Sequence, residues 1–174
     1  PRSEDYARVL DRYIARLVAL HRLPDALALY RREIDRNPND PGLYERLAAF
    51  LQQNQIGAET EQVYKRAIQQ FQDRSWYHKL ARWYLAQKCK SDFEQLSSDV
   101  VRIFAGTELQ SYFESVVAEA DFQVGPQMYL KLNQYAHQRF PHNLRFVRNL
   151  LYAYSRGETR DRAAYDRLLR EHWM

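Results

Sequence analysis

The sequence of 174 residues has little cysteine, little glycine and no long apolar run. Its one cysteine cannot form an internal disulfide bond, and no group of cysteines is present that could hold structural zinc. The five glycines are far apart in the chain, so a glycine-rich phosphate-binding loop is absent. No apolar run approaches the roughly 20 residues that a membrane-spanning helix needs. These absences argue against a disulfide framework, a nucleotide-binding loop and a membrane span.

The composition favours a folded protein with a substantial core. Apolar residues make up 45% of the chain and aromatic residues 14%, which disfavours intrinsic disorder. The length suits a single domain or one continuous repeat array. Because the chain starts at Pro1 rather than Met, we expect it to be part of a longer protein. The sequence leaves the compartment open, and a soluble, cytoplasmic protein is our expectation.

The pattern of apolar residues indicates an all-α fold. Segments of roughly 11 to 18 residues have helical apolar spacing and lie between glycines and prolines, and no useful stretch alternates with a period of two. Short connections make neighbouring helices antiparallel. The predicted helices cover residues 3–21, 24–36, 41–54, 58–71, 74–88, 91–104, 107–120, 126–140, 143–156 and 159–172.

Several helix starts carry residues that can satisfy the free backbone N–H groups of a first turn. Asp40 before Pro41 combines a side-chain acceptor with a preset φ angle, and Asn143 and Thr159 are further predicted N-caps. Two capping boxes are also predicted, Ser91 with Glu94 and Thr107 with Gln110.

An apolar i, i+3, i+4, i+7 set recurs five times along the chain. Its first members stand at positions 10, 44, 77, 109 and 147, which lie 34, 33, 32 and 38 residues apart. The full sets are Leu10, Tyr13, Ile14, Leu17; Tyr44, Leu47, Ala48, Leu51; Tyr77, Leu80, Ala81, Tyr84; Leu109, Tyr112, Phe113, Val116; and Val147, Leu150, Leu151, Tyr154. Such a repeat predicts helical hairpins that bury their apolar faces only by stacking on each other, as in a solenoid.

These residues resemble the tetratricopeptide repeat (TPR) family, whose period is 34. The resemblance is strongest in the first two units, where the matching residues are Ala26, Tyr30, Pro38, Tyr44, Leu47, Ala48, Leu51, Thr60, Tyr64 and Ala67. It weakens in the third unit, where Phe93 and Ser97 replace a small residue and an aromatic one. The resemblance implies a right-handed α-solenoid of about five antiparallel helix-turn-helix repeats. As a single array over residues 1–174, its units are approximately 3–38, 41–72, 74–104, 107–141 and 143–174.

A related repeat is an alternative. The half-a-tetratricopeptide repeat of RNA-processing scaffolds is similar to the stretch from Glu61 to Ala67 followed by Trp76 and Tyr77. Ala26 and Pro38 favour the ordinary tetratricopeptide form in the first unit.

No residue pattern indicates catalysis. Cys89 lies between Lys88 and Lys90, and an incidental thiol explains it best. His137 and His142 are five positions apart around Pro141, so no single helical face presents both to a metal ion. We therefore predict no enzyme activity, no metal site and no cofactor.

Charge is unevenly distributed in the last third of the chain. From Asp92 to Asp121 there are seven acids and one base, Arg102, whereas from Phe122 to Gly157 there are five bases and no acid. The two segments could neutralise each other across stacked hairpins, or the basic one could present a cationic surface.

The family resemblance places the concave surface on the first helix of each unit. Arg145, Arg148, Tyr152 and Arg156 occupy such positions in the fifth unit, and their spacing independently puts them in one stripe beside the buried face. The predicted partner-binding residues are Arg145, Arg148, Asn149, Tyr152, Arg156, Arg82 and His78. Arginine binds carboxylates and phosphates through paired hydrogen bonds and stacks on aromatic rings.

The sequence predicts a non-catalytic scaffold that binds a protein or peptide, acidic or phosphorylated, in its groove. The Lys and Asn clamp of chaperone-tail binders is missing, since the corresponding places hold Asp11 and Ala15, Glu45 and Ala49, or His78 and Arg82. Two alternatives remain. One is an RNA-binding scaffold, which is supported by the isoelectric point of about 9.2. The other is an oligomerisation segment that self-associates through the solenoid ends.

Overall fold

The computed structural model of the chain describes residues 4–120 and 125–173. Three predicted features lie outside these ranges. They are the helix start at residue 3, the acidic Asp121 and the end of the fifth unit at residue 174.

The described residues form ten α-helices and contain no β-strand, which confirms the all-α prediction. The helix ends differ from the predicted ones by no more than three residues. The helices are α1 (Glu4–Ala19), α2 (Leu23–Arg36), α3 (Pro41–Gln53), α4 (Gly57–Phe71), α5 (Arg74–Ala86), α6 (Lys90–Ile103), α7 (Gly106–Glu119), α8 (Pro126–Arg139), α9 (Leu144–Tyr154) and α10 (Arg162–Trp173). A short 3₁₀ helix, Gly157–Thr159, lies between α9 and α10.

The chain divides into two compact units, Pro1–Trp76 and Tyr77–Met174. In the first unit, α1 packs on α2, α2 on α3 and α3 on α4. Polar contacts also join α2 and the turn that follows it to α4, about one repeat further along the chain. They are Arg66 to Asp35 at 3.0 Å, Arg31 to Glu59 at 2.5 Å and Gln70 to Asn39 at 2.7 Å. Consecutive hairpins of this unit are therefore stacked with their second helices adjacent.

An aromatic cluster closes the first unit. The Tyr44 ring meets Phe71 edge to face with centroids 5.1 Å apart, and Phe71 stacks on Trp76 at 5.8 Å. Tyr44 and Trp76 are almost fully buried. Large aromatic side chains therefore supply much of the apolar area that this unit removes from water.

The second unit repeats the same kind of stacking. Arg82 of α5 pairs with Glu119 of α7 at 2.9 Å, and Lys131 of α8 pairs with Glu94 of α6 at 2.7 Å. At the end of the chain, α9 packs against both α8 and α10. Leu168 of α10 inserts between Val147 and Leu150 of α9.

The turn inside the first three hairpins has one backbone geometry. His21, Gln55 and Lys88 each lie two residues after a helix and have φ angles of 57°, 59° and 58°. The next N–H in each turn donates to a helix carbonyl five residues earlier at 2.9 Å, from Arg22 to Leu17, Ile56 to Leu51 and Cys89 to Tyr84. This is the Schellman pattern of helix termination. Its spacing of 34 and 33 residues shows that the repeat exists in the backbone as well as in the sequence.

The predicted N-caps at Asp40 and Asn143 are confirmed. The Asp40 carboxylate accepts a hydrogen bond from the Gly42 N–H at 3.0 Å, and the Asn143 side chain accepts one from the Arg145 N–H at 3.0 Å. Each satisfies one free donor of the first turn.

The two predicted capping boxes are wrong, because both helices begin one residue earlier than predicted. Cys89 is the N-cap of α6, so Ser91 lies inside the first turn, and Glu94 binds Lys131 instead. Ala105 is the N-cap of α7, which places Thr107 within that helix. Neither of these N-cap residues makes a side-chain hydrogen bond to the first turn of its helix.

The predicted N-cap at Thr159 is also wrong. Thr159 belongs to the 3₁₀ helix, and its hydroxyl donates to the Ala153 carbonyl at 2.8 Å. Asp161 accepts from the Ala164 N–H at 3.0 Å and serves the start of α10.

Tyr13, predicted as part of the first buried set, is 57% exposed. Val9, four residues before Tyr13, is exposed on the same side of α1, and Leu20, directly after the helix, is exposed as well. In the first unit α1 packs on α2 through its other side, where Leu10, Ile14 and Leu17 are buried. The apolar spacing alone could not show which side of this helix would be covered.

Candidate partner-binding surface

The start of α9, the helix with the predicted basic stripe, is held by a hydrogen-bond relay. Asn143 caps α9 through its side-chain oxygen, and its amide donates to Glu114 of α7 at 2.8 Å. The Gln110 amide donates to the same carboxylate oxygen at 2.9 Å. These two hydrogen bonds, with the nearby Arg145 guanidinium, lower the pKa of Glu114 although the carboxylate is partly buried. The ionised carboxylate thus fixes where α9 begins.

Helix α9 separates a buried face from a basic one. Phe146, Val147, Leu150 and Ala153 are buried, whereas Arg145 and Arg148 are exposed. Arg156 follows the end of the helix and is also exposed. The Thr159 hydroxyl bonds to the last turn of α9 and holds the chain in place just after Arg156. The three guanidiniums are accordingly on the solvent side of a rigid, well-anchored element.

Tyr152 and Arg156 form a pre-assembled pair. The Arg156 guanidinium carbon lies 4.0 Å from the centroid of the Tyr152 ring, within the range of a cation–π interaction. The Tyr152 ring also meets the ring of Tyr129 in α8 edge to face, with centroids 6.5 Å apart. Burial raises the pKa of Tyr129. The stacked arrangement restricts both side chains before any ligand arrives.

Asn149 holds α9 to α8. Its amide donates to the Asn133 side-chain oxygen at 2.9 Å, and the Asn133 amide donates to the Tyr129 carbonyl at 2.8 Å. Asn133 is completely buried, so each of these bonds replaces water that the side chain has lost. Among the residues of α9 that were predicted to bind a partner, Asn149 uses its side-chain amide for a hydrogen bond to a buried residue of α8.

His78 and Arg82 lie on α5 and contact α7 rather than α9. The His78 ring meets the buried Tyr112 ring at 5.4 Å, and Arg82 pairs with Glu119. Burial raises the pKa of Tyr112. Arg82 and Glu119 also line a cavity of about 400 Å³ with Lys88, Lys90 and Phe93 of the neighbouring turn and helix. The predicted residues therefore form two groups, one on α5 and one on α9.

The acidic and basic segments face each other only in part. Glu94 binds Lys131, which lowers the pKa of Glu94, and Glu114 is close to Arg145. Arg148 and Arg156 differ from them, since neither forms an ion pair with a carboxylate of residues 4–120 or 125–173. Within the part of the chain that is described, these two cations are left for other partners.

Sequence reasoning missed a cavity in the first unit. It measures about 580 Å³ and is lined by α1, α2 and α3, including Ala15, Tyr30, Ala49 and Gln53. Ala15 and Ala49 stand at positions that the family resemblance assigns to the groove, but neither has a charge that would distinguish it in the sequence. Asp11 at its edge pairs with Arg46, so the charge there is internally neutralised.

Among the described residues, none of the helices combines the length and the apolar character that crossing a membrane would require.

Comparison with known proteins supports the fold and no finer assignment. No protein-family model matches the chain, and no curated protein matches it. Among solved structures, a double mutant of MamA, MamA RS-1 ArsTM, aligns with a TM-score of 0.50 at 13% identity. The alignment covers 98% of this chain and 96% of that one. MamA contains tetratricopeptide repeats, and the chain thus has a TPR-like, all-helical repeat fold.

Proposed function

We propose that this protein is a non-catalytic interaction scaffold whose α9 surface binds an acidic or phosphorylated segment of a partner protein. The proposal depends on the exposure and the ion pairing of Arg148 and Arg156. Both are exposed, and neither is ion-paired with a carboxylate of the described residues. An anionic ligand therefore need not displace an internal carboxylate from either arginine.

The chemistry of the surface suits such a ligand. Guanidinium groups bind carboxylates and phosphates with two parallel hydrogen bonds, and each hydrogen bond to a charged group contributes about 1.5–3 kcal/mol. The Tyr152–Arg156 stack lowers the conformational entropy that binding would otherwise cost. The relay from Glu114 through Asn143 sets the start of the same helix, which keeps the cations at a defined spacing.

A direct test uses fluorescence anisotropy with a short, labelled, Glu-rich phosphopeptide and an uncharged version containing Gln and Ser. We expect the wild type to bind the anionic peptide and not the neutral one. The double variant Arg148→Glu/Arg156→Glu should bind at least about tenfold more weakly, since tenfold corresponds to roughly 1.4 kcal/mol. The matched control is Arg12→Glu/Arg16→Glu, which changes the net charge equally on exposed positions of α1.

The outcomes separate this proposal from general charge effects. Equal weakening by both double variants would mean that net charge, not the α9 surface, determines binding. Unchanged binding after the α9 reversal would refute the proposal. If single-stranded RNA binds instead, with an affinity that falls steeply with salt, the nucleic-acid alternative replaces it.

A further inference from the structure

The structure brings together two histidines and a glutamate that the sequence holds far apart. His137 is in the last turn of α8, and Glu171 and His172 are in the last turn of α10. The imidazole rings of the two histidines lie with centroids 5.3 Å apart. One nitrogen of each ring and one Glu171 carboxylate oxygen all lie within 4.8 Å of one another.

Two of the ring nitrogens in this cluster are unsatisfied. Nδ1 of His137 and Nε2 of His172 are buried and have no hydrogen-bond partner among the described residues. Buried polar atoms nearly always have a partner in folded proteins, so an unpaired one calls for a specific explanation such as an ion. The two atoms belong to neighbouring imidazoles, as expected for a shared ion.

From this geometry we propose that His137, Glu171 and His172 form a binding site for a divalent metal ion. The ion that suits these three ligands best is Zn²⁺. Two imidazoles and one carboxylate are a donor set that Zn²⁺ accepts, leaving a fourth position for water. Bond lengths of about 2.1 Å place tetrahedral donors roughly 3.4 Å apart. The candidate donor atoms lie within 4.8 Å of one another, so a bound ion would draw them little more than about 1 Å closer.

The surroundings favour coordination. Both imidazoles are partly buried, which shields the cluster from water, and a neutral imidazole is the form that donates to a metal. The Glu171 carboxylate is exposed, so it can turn toward the ion and supply negative charge. His142, the other histidine of this region, is exposed and does not belong to the cluster.

A metal ion at this position would fasten the last helix. Leu168 is the buried residue of α10, and Trp173 at its end is 51% exposed. The three ligands join the last turn of α8 to the last turn of α10. Bound Zn²⁺ thus acts as a cross-link at the end of α10, beyond its contact with α9 through Leu168.

The test is a Zn²⁺ titration of tag-free, chelator-stripped protein by calorimetry, followed by thermal unfolding. We expect about one ion per chain, and a rise in Tm of about 5–10 °C at hundredfold excess over the Kd. Hydrogen exchange of the α10 amides should slow on binding. His137→Ala and His172→Ala should each weaken binding at least about tenfold, and His142→Ala is the matched control that should not.

The following results would contradict the proposed zinc site. A folded wild type without saturable, stoichiometric Zn²⁺ binding would overturn the proposal irrespective of any variant. Binding that survives in His137→Ala, or that His142→Ala abolishes, would place the ion elsewhere. If a histidine variant unfolds, as judged by circular dichroism, Glu171→Gln provides the test, because it changes an exposed side chain.

Discussion

At the scale of single residues, the hairpin turns show how a repeat can persist without its usual sequence signal. His21, Gln55 and Lys88 adopt a left-handed conformation that glycine takes most easily. None of the three positions holds glycine, so inspection of glycine spacing could not reveal the shared turn. The identical 2.9 Å hydrogen bonds after these residues show that the surrounding helices impose the conformation.

The left-handed turn residues should carry a measurable conformational cost. A non-glycine residue in this conformation loses about 1–2 kcal/mol, while glycine costs about 0.5–1 kcal/mol through its greater freedom when unfolded. Gln55→Gly should therefore raise the free energy of unfolding by about 0.5–1 kcal/mol, as measured by urea denaturation.

The matched control for this turn is Gln62→Gly, which replaces an exposed glutamine inside α4. It should lower the free energy of unfolding by about 1 kcal/mol, because glycine is a poor helix former. A loss of stability in Gln55→Gly would show that the Gln55 side chain makes a contribution larger than the backbone cost.

At the scale of helices, the link between α7 and α9 shows how one carboxylate orients a neighbouring element. Glu114 accepts hydrogen bonds from Gln110 in its own helix and from Asn143 at the start of α9. The sequence identifies Asn143 as a cap, because the residue type and position are local features. It does not identify Glu114 as its partner, because the two residues are 29 positions apart.

The Glu114 link predicts a dependence of stability on pH. The folded protein holds the Glu114 pKa below its ordinary value of 4.5, so the unfolded chain binds the proton more tightly. The stabilisation is present above pH 4.5 and disappears as the pH falls through the lower, folded pKa. Glu114→Gln should therefore show a smaller loss of unfolding free energy than the wild type between about pH 5 and pH 3.

The comparison for Glu114 is Glu108→Gln, an exposed glutamate of the same helix, whose pH profile should remain close to that of the wild type. Urea denaturation followed by circular dichroism at a series of pH values measures all three proteins. Coincident profiles for wild type and Glu114→Gln would mean that the hydrogen-bonded carboxylate contributes nothing to the α7–α9 link.

At the scale of the whole molecule, the contacts follow the repeat. The cross-helix polar pairs join residues about one unit apart, such as Arg66 with Asp35 and Lys131 with Glu94. The chain divides into two compact units, and each has its own buried residues. In such repeat proteins, stability is close to a sum of local terms and nearest-neighbour terms.

A local core deletion should therefore have a local effect. Leu150 of α9 is almost fully buried against Val147 and Leu168, and Leu150→Ala should cost about 2–5 kcal/mol. We expect hydrogen exchange to become faster in α8, α9 and α10 and to remain unchanged in α1, α2 and α3. Leu47→Ala in α3 is the reciprocal control, with faster exchange confined to the first unit. Equal acceleration throughout the chain would instead show that all the helices unfold together.

Most of the fold could be predicted from the sequence, whereas the candidate sites could be predicted only in part. The positions of the ten helices follow from apolar spacing, glycine and proline, all of which act over a few residues. The basic face of α9 is predictable for the same reason, since a helix places i, i+3 and i+7 on one side. Arg156, predicted as the i+11 member, instead lies two residues beyond the end of α9 with an extended backbone. The roles of individual predicted partner-binding residues could not be predicted in the same way, since Asn149 binds the buried Asn133 and Arg82 binds Glu119.

The amino-acid sequence by itself determined that the chain forms helical hairpins with a step of about 34 residues and that α9 has a cationic side. These properties depend on the 3.6-residue periodicity of a helix and are set within each segment. The tertiary structure alone decided which side chains of different helices meet, including His137 with His172 and Glu114 with Asn143. The reason is that such contacts depend on how packed helices cross, and small changes in packing decide which functional groups come within bonding distance.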